Sequence, residues 1–501
     1  MSWTIRILFA AALAAGVASA ATPGGPAPAG PRIVFTDVDA GPTRGGPDGL
    51  GVPITIFGTG FGRERGDSRV TIGGREVARY VSWGTQAAAN PRLQTVVVQP
   101  GPTTGGTVQI SVGGRTARAP TAFAPTRGRV LLVAGAGSDR ASCSMRAPCA
   151  TITRALHRMR PGDVVLVRGS TVADDEVWAG PKYGGRPGRP ISILAYPGDR
   201  PVFTRTGRPV ILEGSHIRFA GFSFPDGKSL EVGADSADDI WAVDNTFAGE
   251  VAFDAVGTHG DDLLIAGNVC HASGSSQGTQ GHCFYISKGR RIEIIANVAT
   301  GATGYGLHVF DEQRSADDGQ RVIADVLIED NVLSSSLERS GLIVEMDDQG
   351  HQGNLVTGVT IRDNLFTGNN FAGIAIGANV RNVLIAHNTF VGNGRQGITI
   401  YDDPTIDGVT IRGNLLDQSS NDACHSNCSW YRELQIEVGA GARRVSVSGN
   451  WYAPGAPLIA GTRDASARHG KVAYGTSAAG DPAVVSPAGA TGYGWTRLAG
   501  G

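Results

Sequence analysis

The sequence predicts an all-β protein, a right-handed parallel β-helix (a solenoid) preceded by a small β-sandwich, and three observations carry that prediction. First, an apolar, alternating strand that ends in Asn and is followed by an apolar residue recurs eight times: WAVDNTF, LIAGNVC, IIANVA, LIEDNVL, TIRDNLF, LIAHNTF, TIRGNLL and SVSGNWY. The asparagines are Asn245, Asn268, Asn297, Asn331, Asn364, Asn388, Asn414 and Asn450, spaced 23 to 36 residues apart, which is one solenoid coil with loop insertions in the longer repeats. Second, Gly makes up 73 of 501 residues, roughly twice the ordinary share of about 7%. Many short strands joined by tight turns need that supply of positive-φ positions. Third, residues 32–125 read as short apolar runs punctuated by Gly-Gly turns, the pattern of a sandwich.

Residues 1–20 read as a signal peptide. Arg6 precedes an apolar run over residues 7–17, and Ala18-Ser19-Ala20 supplies the small-residue cleavage pattern. The protein is therefore expected to be exported, secreted or periplasmic. A membrane anchor requires about 20 apolar residues, and no later stretch offers them. Residues 21–31, ATPGGPAPAGP, form a Pro/Gly linker. A net charge of -1 with no basic block argues against nucleic acid or an anionic membrane as partner.

The sandwich region, residues 32–125, contains ITIFGTGFG, VTIGGREV and a closing VQISVGG. Together these resemble the immunoglobulin-like IPT/TIG family, and the resemblance implies a spacer or a binding accessory rather than a catalytic unit. From Val130 the chain runs VLLVAGAGSDRASCSMRAPCATITRALHRMRPGDVVLVRGS and then PGRPISILAYPGDRPVF. Ile152, Ala155, Leu156 and Met159 share one helical face, Pro161-Gly162 stops that helix, and residues 164–167 form an apolar strand. A short amphipathic helix over the open end of a solenoid removes an exposed edge. This stretch is similar to the start of pectate-lyase-like β-helix proteins, which implies a polysaccharide-lyase-type scaffold for residues 126–452. The remaining residues, 453–501, lose the repeat and read as an irregular segment.

The repeated asparagines are structural on their chemistry. A carboxamide stacked at the same corner of each coil bonds its neighbours and the backbone, satisfying groups that are costly to bury otherwise. A second strand follows each corner: CFYIS, GLHVFD, GLIVEMD, GIAIGA, GITIYDD, ELQIEV. Side chains alternate faces along a strand, so one exterior column reads Tyr285, His308, Ile343, Ala375, Thr399, Gln435, and the next Ser287, Phe310, Glu345, Gly377, Tyr401, Glu437. If the earlier coils continue the ladder, Glu231 and Ala252 precede Tyr285, and Asp254 precedes Ser287.

Tyr285 and His308 then sit on consecutive rungs, with His282, Asp311, Glu312, Arg314, Glu345 and Asp347 around them. Elimination in a uronate polymer needs a base for the proton α to the carboxylate, a cation or donor at that carboxylate, and an acid for the departing oxygen. His308 suits the first role, Tyr285 is donor or base, and Arg314 or a Ca²⁺ held by Asp311, Glu312, Glu345 or Asp347 suits the second. Asp254, Asp311, Glu312, Asp347 and Tyr401 are candidate substrate contacts. Pectate-lyase-like enzymes commonly use a Lys or Arg base, and Lys228 and Lys288, the lysines of the coils, stand outside the exterior columns. A Tyr/His pair and an arginine base therefore both remain open.

The expected activity is a lyase acting on an acidic polysaccharide, by a monomer. A glycoside hydrolase using a carboxylate pair among Asp254, Asp311, Glu345 and Asp347 is the rival enzyme, and a non-catalytic glycan-binding protein or adhesin the rival class. A metal-centred reading would use His271, His282 and His308. Six cysteines in an exported chain suggest disulfides, with Cys143–Cys149, Cys270–Cys283 and Cys424–Cys428 as the neighbour pairing.

Overall fold

The alternating runs of residues 32–125 fold into two packed sheets. The computed structural model describes residues 30–204, 207–225, 227–233, 237–248, 254–271, 281–310, 322–346, 353–417, 434–454, 459–464, 466–469, 473–476 and 482–485. The expected signal peptide, nearly all of the linker, and Cys424 and Cys428 lie outside these. One sheet orders Arg32–Thr36, Ile54–Thr59, Gln94–Gln99 and Arg79–Gln86; the other orders Ala40–Pro42, Arg115–Thr126, Gly106–Val112, Arg69–Ile72 and Arg75–Glu76. Ile54, Ile56, Val70, Val96, Val98 and Ile110 are fully buried between them.

From Val130 the chain winds into three parallel sheets of 12, 12 and 10 strands. The first spans Val130–Ala134 to Ser446–Ser448, the second Thr171–Val172 to Arg468–His469, and the third Val177–Ala179 to Leu434–Val438. The predicted β-helix and sandwich are both present. The N-terminal cap is a helix at Ile152–Leu156, where Thr151 accepts a hydrogen bond from the Arg154 N–H, and Ile152, Ala155 and Leu156 are buried in the first coil. Disulfides join Cys143 to Cys149 and Cys270 to Cys283.

All eight predicted asparagines form one continuous ladder. From Asn268 onward, Oδ1 accepts the backbone N–H and Nδ2 of the asparagine one coil earlier: Asn297 donates both to Asn331 at 2.9 and 3.0 Å, and Asn331 both to Asn364 at 2.8 and 3.0 Å. Each Nδ2 from Asn268 onward also donates to a carbonyl one coil before it, as Asn331 does to Ile294 at 2.8 Å. At the N-terminal end the Phe222 N–H donates to Asn245. At the other end a carboxylate replaces the amide: Asp464 accepts from the Gly449 N–H and from both donors of Asn450. Burial alone would raise the Asp464 pKa, but these donors overcome it and hold it low. The residue before each asparagine has positive φ, at Asp244, Gly267, Ala296, Asp330, Asp363, His387, Gly413 and Gly449. That left-handed step bends the chain from the first sheet to the second, and it explains the recurring Gly-Asn and Asp-Asn pairs. A second, shorter ladder at another corner runs from Ser336 to Asn369 to Asn393; the sequence pattern did not expose it.

The sandwich is no spacer on a tether. The outward residues Leu132, Leu166, Leu194, Val243, Ala266 and Ile295 of the first sheet form one buried cluster with Phe35, Phe57 and the rest of the sandwich core. This second buried face is why first-sheet strands read as continuous apolar runs. Polar anchors fix the register. Arg218, 2% exposed, donates to both oxygens of Asp39 at 2.8 and 2.9 Å and to Asp239 at 3.0 Å, Asn90 donates to the Ala296 carbonyl at 2.7 Å, and Arg32 pairs with Glu329 and Asp330.

Two stability predictions follow from this packing. Asn331→Ala orphans the two donors of Asn297, each costing about 1–3 kcal/mol when buried unpaired; equilibrium denaturation should show a loss of at least about 2 kcal/mol, and an unchanged midpoint would contradict the ladder's role. Asp37 is buried at the junction, and desolvation pushes its carboxyl up to about 7 despite the Thr55 N–H that it accepts. The folded state therefore holds a proton that the unfolded chain releases near pH 4, and stability falls as pH rises between those values. Asp37→Asn should shrink the drop in melting temperature between pH 5 and pH 8, a range set by those two pKa values; an equal drop in both proteins would refute the assignment.

Candidate active site on the third sheet

The third-sheet strands stack in register, and this brings Tyr285 opposite His308, then Ile343, Ala375 and Thr399. The expected column is correct that far and changes at both ends. Ile398 pairs with Ile436 and Thr399 with Glu437, so Glu437, not Gln435, continues the Tyr285 column, and Gln435 is buried. Before Tyr285 stand Gly257 and Glu231, not Ala252. Asp254 is opposite His282, not in the Ser287 column. Loop lengths between coils set these end registers: the shift is two residues at Glu437, which keeps the faces, and five at Gly257, which exchanges them.

Tyr285 and His308 stack with ring centroids 4.8 Å apart. His308 also meets His282 at 4.2 Å, Tyr305 at 4.9 Å and Phe310 at 4.8 Å. His282 is fixed by accepting the Tyr305 N–H on Nδ1 at 3.0 Å. Both histidines point away from the solenoid core yet are only 4% exposed, because the rings cover one another. Burial therefore holds both neutral: His282 falls to about 3 and His308 well below the usual value, with the Arg339 charge adding to the effect in each. The Nδ1 of His308 is buried with no hydrogen-bond partner among the described residues.

Arg339, whose guanidinium lies 5.9 Å from the Tyr305 ring, is a site residue that the strand columns missed. It stands three residues before Leu342, where Phe371 and Arg395 stand before Ile374 and Ile398. Aligning the glycines Gly306, Gly341, Gly373 and Gly397, which immediately precede Leu307, Leu342, Ile374 and Ile398, would have exposed this third column. The glycines are required by close stacking: a Cβ on Gly373 would fall 2.6 Å from Phe390 and 2.8 Å from the Gly397 carbonyl.

Further along, the Arg395 guanidinium stacks 3.9 Å over Phe371 beside a pocket of about 280 Å³ lined by Gln396, Tyr401, Asp402 and Glu437. Gln396 donates to Glu437 at 2.6 Å. Glu345 accepts from the Ala378 N–H at 3.4 Å, with its carboxylate over Gly377, where a Cβ would lie within 2.5 Å of it. Tyr401 is 39% exposed as a residue, but its hydroxyl end sits in this crowded region, and desolvation followed by the Glu345 charge raises its pKa. Glu345 thus belongs with Tyr401 rather than with the ring cluster. Arg314, Asp311, Glu312 and Asp347 lie outside the described residues, as does the side chain of Asp254. His271 is exposed at the end of a second-sheet strand, Val269–His271, while His282 and His308 are buried in the third sheet; the three-histidine metal reading loses its geometry. Among the described residues no three His, Cys, Asp or Glu side chains are grouped to hold a metal, and no helix is long and apolar enough to cross a membrane.

The β-helix with an accessory sandwich defines the class of architecture, and the comparisons are consistent with its two parts. Residues 34–125 match the IPT/TIG domain family, and residues 317–435 match the family described as periplasmic copper-binding protein (NosD). No curated protein matches the chain. Among solved structures it is similar to a rhamnogalacturonan lyase (15% identity, 64% of this chain and 87% of that one, TM-score 0.33). It is also similar to an alginate lyase from Paenibacillus sp. (15%, 67% and 99%, TM-score 0.35) and to an α-1,3-glucanase from Streptomyces thermodiastaticus (11%, 80% and 84%, TM-score 0.34).

The buried histidines make a pH prediction. If His308 acts as a base, its active neutral form persists as pH falls until its lowered pKa is reached, so kcat/KM should hold through pH 6.5, the ordinary histidine value. An acid limb centred at or above that value would show that another group titrates.

Proposed function

We propose that this protein is an exported polysaccharide lyase that cleaves a uronate-containing polymer by β-elimination on the third-sheet face. The observation that carries the reading is the neutral, stacked His308 beside Tyr285 with the Arg339 charge close by. His308 takes the proton α to the uronate carboxylate, acting at the floor of the site because so little of it is exposed. Arg339 blunts the charge of that carboxylate, a role the sequence assigned to Arg314. Tyr285, the more exposed ring of the pair, protonates the departing oxygen. The two disulfides support an oxidising compartment, in keeping with the signal-peptide pattern of residues 1–20. Of the acids expected to hold Ca²⁺, only Glu345 is among the described residues, and no step here depends on a metal.

The pocket at Tyr401 and Glu437 favours a second reading, hydrolysis by Glu437, which lines it, with Glu345, whose charge reaches Tyr401. One experiment separates the two: incubation of purified protein with a panel of uronic-acid polysaccharides, with and without Ca²⁺, following ultraviolet absorbance of unsaturated uronate and new reducing ends together. Elimination predicts that both signals rise and that His308→Ala or Tyr285→Phe lowers them by about 10²–10⁴-fold. Reducing ends without absorbance, lost in Glu437→Gln, would establish hydrolysis. Silence in both signals across the panel would leave a glycan-binding protein.

A further inference from the structure

A cleft of about 500 Å³ opens where the sandwich meets the helix, within the roughly 300–1,000 Å³ typical of ligand sites. One wall is the sandwich strand Arg79–Gln86, which contributes Ser82, Thr85 and Gln86. The other wall is the turn by which the first-sheet strand Ile191–Ala195 leaves for the second sheet, and it contributes Tyr196 and Asp199. Asp37, 7% exposed, lines the cleft as well. The third sheet leads into the opposite end of the first-sheet strands, so this cleft and the proposed active site occupy different flanks of the solenoid.

The lining chemistry selects the ligand. Hydroxyls, a primary amide and a carboxyl supply donors and acceptors in a cleft that also holds an aromatic ring, and the Tyr196 ring carries the Arg168 guanidinium 3.9 Å from its centroid. Free positive charge is scarce: Arg200, the cleft's cation, is paired with Asp244 at 2.7 Å. A carboxylate- or phosphate-bearing ligand would find this cation already engaged and would meet the Asp199 carboxylate. An uncharged, hydroxyl-rich ring satisfies such a lining, stacking on tyrosine and bonding to the amide and carboxyl.

We infer that the junction cleft is a second carbohydrate site, one that holds a neutral sugar segment and keeps the protein on its polymer independently of the third-sheet face. The sandwich is then a binding element whose site is completed by the helix. This inference stands whether or not the third sheet catalyses elimination.

The test is isothermal titration of the full-length mature protein with neutral hexasaccharides of β-1,4-glucan, β-1,3-glucan, β-1,4-mannan and β-1,4-xylan, with a hexagalacturonate as the charged comparison. At least one neutral oligomer should bind more tightly than the charged one, and Gln86→Ala, an exposed change, should weaken it about tenfold. Thr85→Trp, which fills the cleft, should abolish it, while His308→Ala leaves it unchanged. Thermal melts confirm that each variant is folded. Failure of every neutral oligomer to bind, or wild-type affinity in both cleft variants, would overturn the inference. So would loss of binding in His308→Ala, which would place the neutral sugar on the third sheet.

Discussion

The backbone at each corner between the first and second sheets turns away from the strand ladder, and its amide would be buried without a partner unless something supplied an acceptor. The asparagine of the next coil does so. Its Oδ1 takes both the N–H and the Nδ2 of the asparagine before it, and its own Nδ2 returns to a strand carbonyl. One carboxamide therefore closes the hydrogen-bond balance of a corner, and the next corner depends on it in turn. A chain of this kind needs a terminator, and Asp464 provides one that accepts without having to donate. The positive-φ residue before each asparagine belongs to the same device, since only that step sets the amide along the solenoid axis.

With the corners locked, the faces become straight columns about 4.8 Å apart per rung, and each flank takes a different use. The earlier strands of the first sheet are largely apolar on both sides, so they cannot remain open to water; the sandwich covers them. Phe35 and Phe57 pack on that sheet, and Arg218 is held between Asp39 of the sandwich and Asp239 of the helix. Removing one member of such a buried group typically costs about 3–5 kcal/mol, so the two units behave as one body.

The exterior columns of the third sheet mix rings, cations and acids, which is what the proposed chemistry needs. Crowding is what gives the rings their character. His308 at an exposed position would titrate near neutrality, whereas the cover of His282, Tyr285, Tyr305 and Phe310 keeps it uncharged. The glycines at Gly341 and Gly373 leave room for close stacking of successive coils, where a Cβ would strike the next coil.

Much of this was readable from residues alone, and the limit has a physical origin. The period, the eight ladder asparagines, the inward strand residues and the Tyr285–His308 pairing follow from local alternation and from a corner motif that repeats, so the sequence by itself determined them. The sequence did not determine the partners at the two ends of the column, where Glu437 replaces Gln435 and Asp254 meets His282, because loops of unequal length let the register slip between coils. Nor did it disclose Arg339, the neutral state of the buried histidines, or the docking of the sandwich. Those depend on which side chains from other coils, or from the sandwich, lie across a residue, and only the tertiary structure decides that, since burial and electrostatic surroundings are properties of neighbours in space rather than of neighbours in the chain.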